Sequence, residues 1–303
     1  MAEHSPGAAP NSLLPRPASG RLRCVLAGAF VLLVACFAGK PAHIDDPLFL
    51  WAARHVLDDP LRPYDLLVNW YRTPTPLSAA MQNPPLVAYW LAGGLRWLGG
   101  STAALHLSML AFPAALALGV WELAARRCSR PALATALALA TPAVLVSATS
   151  LMCDIPMLAL WVWGLAAWDR GEEGRGRAWF ALAGLLLALG VLTKYYAAAA
   201  VPLLLAYSLA RHRRLRPELP WLALPLAALA GYQVLSRQLY GDGALSQAMG
   251  YSLGLVLSAS PLERALLATA FLGGTLLPAA VFLPLLGPAP GRRGRAAFAL
   301  ALG

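Results

Sequence analysis

Residues 131–168 read PALATALALATPAVLVSATSLMCDIPMLALWVWGLAAW, and Asp154 is the one charged side chain in more than thirty residues. A membrane-spanning helix needs roughly 20 predominantly apolar residues, so this stretch holds enough for more than one crossing. The rest of the chain repeats the pattern: of 303 residues, 59% are apolar and 13% charged. Soluble domains run about 45–50% apolar and about 25% charged. That composition excludes a water-soluble globular domain, a disordered chain and a disulfide scaffold. The four cysteines (Cys24, Cys36, Cys128, Cys153) sit in or beside apolar runs with no metal-ligand spacing, and read as small apolar residues.

Working outward, apolar runs fall at 22–39, 102–124, 131–149, 155–168, 178–193, 195–210, 219–236 and 262–286. A shorter run, 86–98, starts after Pro84-Pro85 and carries Arg96. Runs of that length are interfacial, re-entrant or buried more often than spanning. The expected fold is all-α, a polytopic transmembrane helical bundle, because open sheet edges have no place in lipid. Residues 1–21 read as a disordered cytoplasmic tail, 22–39 as the first transmembrane helix, and 40–101 as an exterior loop with interfacial or re-entrant segments. Residues 102–303 form the remaining bundle, expected to be short at its C-terminal end, since Ala296–Gly303 falls inside another apolar run. Leu33-Val34-Ala35-Cys36 resembles a lipoprotein cleavage box, but the many runs that follow favour an ordinary first helix.

Charge sets the expected orientation. The formal net charge is +10, with 24 Lys+Arg against 14 Asp+Glu. On a soluble protein that excess would suggest nucleic acid. Here the arginines cluster at 16–23, 126–130, 170–177, 211–216 and 292–295, and the positive-inside rule places all five clusters in the cytoplasm. Alternating the eight runs satisfies that rule if 86–98 does not cross. The five clusters hold 16 arginines against six acids on the same side, so the whole excess becomes an orientation signal and no nucleic-acid partner is implied. Exterior positions are then the loop 40–101, the turn 150–154, the Lys194 junction and the loop 237–261.

Those exterior segments carry the chemistry-bearing residues. His43-Ile44-Asp45-Asp46-Pro47 leads into Leu48, Trp51, Ala52, His55 and Val56 at three- and four-residue spacing. The pattern predicts a capped amphipathic helix on the membrane surface. Asp45 and Asp46 are either its caps or functional carboxylates. Asp154, before Ile155-Pro156, is either a helix cap or a functional acid, since carboxylates near membrane depth are expensive. Lys194 is one of only two lysines. It either snorkels to the interface or presents a compact cation to a phosphate. Carboxylates serve as general bases toward an acceptor hydroxyl or amine, and basic groups stabilise charge on a phosphate leaving group.

Four features occur in order: the acidic pair Asp45-Asp46, the segment from Pro84-Pro85-Leu86 to Tyr89-Trp90-Leu91, Asp154-Ile155-Pro156, and Leu192-Thr193-Lys194 with the apolar run to Pro202. Over roughly residues 40–210 the chain resembles glycosyltransferases of the GT-C fold, in the branch of protein O-mannosyltransferases and lipid A aminoarabinose transferases. It departs from them at Gln82-Asn83, where relatives carry His, Lys or an acidic residue before Pro-Pro. The resemblance implies transfer of a sugar from a polyprenyl-phosphate donor to a protein, lipid or polysaccharide acceptor, with inversion, at the extracytoplasmic face of the cell membrane. It further implies Asp45 or Asp46 as catalytic base and Asp154 as a second acid. Lys194, with Arg54 or Arg72, would bind the donor phosphate, and Asn83, Tyr89 and Tyr195 would contact substrate. No cofactor is implied, no metal-ligand cluster is read, and divalent-metal dependence stays open.

Two other classes compete. A carrier or flippase for lipid-linked sugars also uses intramembrane Asp and Lys, but carriers often show inverted repeats with paired broken helices, and the two halves here show no such duplication. A non-catalytic membrane subunit would keep the fold without turnover.

Overall fold

The computed structural model describes residues 20–214 and 216–275. The N-terminal tail with Arg16, the Arg292, Arg293 and Arg295 cluster, the end of the 262–286 run and Ala296–Gly303 lie outside the described residues. Among the described residues, the regular secondary structure is helical apart from one pair of two-residue strands.

The long apolar stretch resolves into three helices. Pro131–Leu139 (α7) and Pro142–Ala148 (α8) are separated by a 63° bend at Thr141-Pro142. Proline disfavours a helical residue before it and lacks the N–H that would continue the ladder. The single run read over 131–149 is therefore broken. After the turn at 149–153, Asp154–Glu172 (α9) starts earlier and ends later than the 155–168 run. Its charged last turn is kept helical by ion pairs described below.

Around α9 the bundle assembles from Gly20–Ala35 (α1), Leu86–Leu98 (α4), Thr102–Met109 (α5), Ala111–Arg127 (α6) and Ala178–Val191 (α10). The 3-10 turn Tyr195–Ala199 leads into Ala200–His212 (α11), and Leu219–Leu222 leads into Ala223–Tyr240 (α12). α9 packs between α6 and α10; α1 and α7 lie against α6, and α12 lies against α10. Gly184 sets that last spacing, because a Cβ there would stand 2.5 Å from the Trp221 carbonyl oxygen.

Asp46–Asp58 (α2) and Leu77–Ala80 (α3) form an annex with α4, closed by its own core of Phe49, Leu77, Leu91 and Leu151. The amphipathic helix expected after Asp46 is present, but its apolar face (Leu48, Phe49, Ala52, Ala53, Val56) is buried against α4 and does not face a bilayer. Between α2 and α3, Leu67–Val68 (β1) pairs antiparallel with Thr75–Pro76 (β2). Open strand edges are costly in lipid, and this short ladder has its edges in the loop outside the bundle.

The loop expected over 237–261 is largely helix, Ala244–Ser258 (α13), followed at a 119° bend by Pro261–Thr275 (α14). Among the described residues, Thr102–Arg127 and Leu219–Tyr240 are long and apolar enough to cross a membrane. The bent pairs α7–α8 and α13–α14 raise the number to four if each is one span. The eight runs thus exceed the helices that meet the spanning length: α10, for example, has 14 residues, about 21 Å at 1.5 Å per residue.

At the far end of α9, arginines and acids form a network. Arg126 binds Glu122 and Glu173, each at 2.6 Å, Arg170 binds Glu122 at 2.8 Å, and Arg127 pairs with Asp169. Glu172 takes His212 and, at 3.2 Å, Arg216. The three middle arginine clusters therefore meet at one end of the bundle. Asp154 and Glu172 are the first and last residues of α9, so Asp154 lies about 27 Å away from that network by helical rise.

Candidate active site

The site forms where the segment after α1, the turn before α9 and the Lys194 junction come together. Two ties hold the first to the second. Lys40 Nζ donates to Thr149 Oγ1 at 3.2 Å, and Asp46 Oδ1 accepts the Leu151 N–H at 2.8 Å. Asp46 Oδ2 accepts the His43 N–H at 3.2 Å and faces His43 Nδ1 at 3.4 Å. With 0% exposure and both oxygens engaged, Asp46 is a buried clamp reaching back over the helix start.

Asp45 is its opposite. It occupies the cap position of α2 but makes no side-chain cap bond. Ile44 before it is left-handed at φ 52°, an uncommon backbone for a β-branched residue. Asp45 lines a cavity of about 830 Å³ together with Gln82, Asn83, Lys194, Tyr195 and one side of α13. Its pKa is raised: burial is the main cause, Lys194 opposes it, and Asp46 and Asp154 add to it.

Lys194 Nζ donates to Asp154 Oδ1 at 2.7 Å and lies 5.5 Å from the centre of the Tyr196 ring. Burial alone would pull the Lys194 pKa down, but Cys153 and Asp154 outweigh it and the ammonium ends above its usual value. The cavity thus has a fixed cation on one side and a raised carboxyl on the other. Backbone carbonyls of the segment before α4 are anchored by phenols: Tyr195 donates to the Gln82 carbonyl, and Tyr64 to that of Asn83 at 2.7 Å.

Of the residues expected at the site, Asp45, Asn83, Lys194 and Tyr195 meet around the cavity, and Asp154 joins through its pair with Lys194. Asp46 stands behind them in the core. Tyr89 is turned away, donating to the Pro60 carbonyl at 2.6 Å. Arg54 and Arg72 are exposed and line neither the cavity nor the recess beside it. That recess, about 140 Å³, is shared by Asp45, Asn83, Trp70, Tyr71 and Tyr251. The three aromatic residues escaped the sequence reading. Trp70-Tyr71 is an aromatic pair in an otherwise proline-rich loop, a signal the sequence carries; Tyr251 falls in the segment 237–261, which the sequence punctuates as a loop. Among the described residues, no group of three or more His, Cys, Asp or Glu is placed to hold a metal ion.

The profile of the dolichyl-phosphate-mannose-protein mannosyltransferase family matches residues 82–236, half of the chain. The chain belongs to this family. It is a membrane glycosyltransferase by that membership, and the matched region runs from Gln82 beside the cavity through α9, Lys194 and most of α12. No individually curated protein matches the chain.

Proposed function

We propose that the protein transfers one sugar from a polyprenyl-phosphate donor to an acceptor hydroxyl or amine at the extracytoplasmic face. The observation that carries the reading is the cavity itself, which places the Lys194 ammonium and the Asp45 carboxyl around one space while Asp46 is locked away. Lys194 holds the donor phosphate, and Asp154 holds Lys194. Leu245, Met249, Leu253 and Val256 of α13 offer the first prenyl units an apolar wall.

In the reaction the acceptor oxygen or nitrogen forms a bond to the anomeric carbon as the bond from that carbon to the phosphate oxygen breaks. Its electron pair leaves on the phosphate, where Lys194 stabilises the charge. The acceptor proton passes to Asp45, whose raised pKa brings it closer to the working pH, as general-base catalysis favours. Attack opposite the phosphate inverts the anomeric configuration. Asp46 supports this by fixing the segment that carries Asp45. Arg54, Arg72 and Tyr89 have no part in this reading.

The arginine network at the other end of α9 supports the orientation, because the positive-inside rule puts that end in the cytoplasm and the cavity outside. The N-terminus is then cytoplasmic and residues 40–101 form the exterior catalytic region. The test is transfer from radiolabelled polyprenyl-phosphate mannose by protein reconstituted in liposomes with a membrane extract. Loss of product in Asp45→Asn and Lys194→Ala is expected, and full activity of Asp45→Asn would overturn the base assignment.

A further inference from the structure

A separate cavity, of about 260 Å³, reaches the arginine network between α6, α7, α9 and α11. Trp161, Leu165 and Trp168 of α9 and Leu203 and Leu204 of α11 make its walls apolar. Pockets that enclose a whole small ligand run about 300–1,000 Å³, so this one suits a segment of a longer apolar chain. Its polar lining is one linked group. Arg127 pairs with Asp169 and donates to the Tyr207 hydroxyl at 2.9 Å, and Arg211 donates to the same hydroxyl at 2.8 Å.

Charge around that group is unbalanced. The three middle clusters hold ten arginines, against the five acids Glu122, Asp169, Glu172, Glu173 and Glu218. Every one of those acids is already in an ion pair. Arg130, Arg213 and Arg214 are exposed and, among the described residues, pair with no acid. Arg130 sits between Arg127 and Ala134, which both line the cavity, and Arg213 and Arg214 follow the last turn of α11, whose Tyr207 lines it. Cations therefore flank the polar end from two elements. In the same lining, the buried Trp168 Nε1–H has no hydrogen-bond partner among the described residues, a state that calls for an acceptor oxygen.

We propose that this cavity seats one acyl chain of an anionic phospholipid, whose phosphate rests on Arg130, Arg213 and Arg214. Basic pockets between helices bind anionic head groups in this way, and the ester oxygens of such a lipid are acceptors of the kind Trp168 lacks. A zwitterionic lipid offers the same chain but brings an ammonium group to a surplus of arginines. The site lies at the opposite end of α9 from Asp154 and is independent of the donor reading; only its assignment to the cytoplasmic leaflet rests on the orientation proposed above.

The experiment measures binding of phosphatidylglycerol, of phosphatidylcholine with the same chains, and of polyprenyl phosphate to the delipidated, detergent-solubilised chain. One phosphatidylglycerol binds per chain, more tightly than phosphatidylcholine. Arg130→Gln, Arg213→Gln and Arg214→Gln each weaken it about fivefold and leave polyprenyl phosphate unchanged. Ala134→Phe, which fills the cavity from α7, weakens it as well, while an unchanged polyprenyl-phosphate affinity shows that the fold is intact. Equal binding of the two phospholipids, or arginine variants without effect, would overturn the proposal. So would full phosphatidylglycerol binding by Ala134→Phe, or one-for-one displacement of phosphatidylglycerol by polyprenyl phosphate. Arginine-dependent phosphatidylglycerol binding by a chain that transfers no sugar would refute the transferase reading and leave this site standing.

Discussion

Asp45 and Asp46 are chain neighbours, and the same conservative substitution tells the proposed base from the buried clamp. In Asp46→Asn, an amide NH2 replaces one of two oxygens that accept backbone N–H bonds from Leu151 and His43. One bond is lost and one backbone N–H is left facing a donor. Bonds to a charged acceptor contribute about 1.5–3 kcal/mol, and a buried unpaired donor costs about 1–3 kcal/mol. These overlap as one event, so a net loss of about 2–3 kcal/mol is expected. At roughly 2–4 °C per kcal/mol for chains of about this size, the melting temperature falls by about 4–12 °C. Asp45→Asn behaves in the opposite way. The folded state raises the Asp45 pKa, so the charge is a net cost to stability once the pH exceeds the raised value, and a neutral side chain removes that cost. Tryptophan emission during thermal unfolding, run beside initial rates of transfer, distinguishes the two. Asp46→Asn should melt early yet retain transfer at low temperature, whereas Asp45→Asn should melt no earlier than the parent and lose transfer. An Asp46→Asn protein that melts normally and is inactive would refute the division of roles.

Three further outcomes follow from the same geometry. With Asp45 as the proposed base, the acid limb of the rate profile is expected above the ordinary aspartate pKa of 3.8; Asp154→Asn should move the limb of residual activity to lower pH, since Asp154 helps raise Asp45, and an unmoved limb would argue against Asp45 as the titrating group. Exchanging the pair as Asp154→Lys with Lys194→Asp keeps an ion pair between α9 and the junction, so folding measured by size-exclusion chromatography survives while transfer does not. In Gly184→Ala the new methyl meets the Trp221 carbonyl rather than a movable side chain, so overpacking should cost about 1–3 kcal/mol, read as a lower melting temperature with the lipid-binding constants unchanged.

Much of the architecture was legible because local signals agreed with tertiary ones. Pro84-Pro85 and Gly99 bound the helix Leu86–Leu98 as the sequence reading placed it, with Gly99 at φ 88° where a side chain would be strained. The isolated charges Asp154 and Lys194 stood out against apolar flanks; that they pair with each other depends on the turn of the chain between α10 and α11, which no spacing encodes. The same holds for Asp45 and Asp46: only the tertiary bonds of Asp46 to Leu151 and His43 set it apart from its cavity-lining neighbour. Residues 244–258 read as loop in the sequence because Gly241-Asp242-Gly243 and Ser260-Pro261 punctuate both ends, whereas the intervening apolar helix forms one wall of the cavity. Span counting suffered from a physical mismatch: hydropathy finds apolar runs, but helices such as α10 and α11 owe much of theirs to neighbours in the bundle.

The phenols of Tyr64 and Tyr195 hold Asn83 and Gln82 by their carbonyls, which every amino acid possesses. The path of the main chain at the mouth of α4 is thereby decoupled from the identity of the side chain at position 83. Mutation can exchange that side chain without redrawing the socket it hangs in. Side chains can therefore be varied at position 83, which lines the cavity, without disturbing the backbone that frames it.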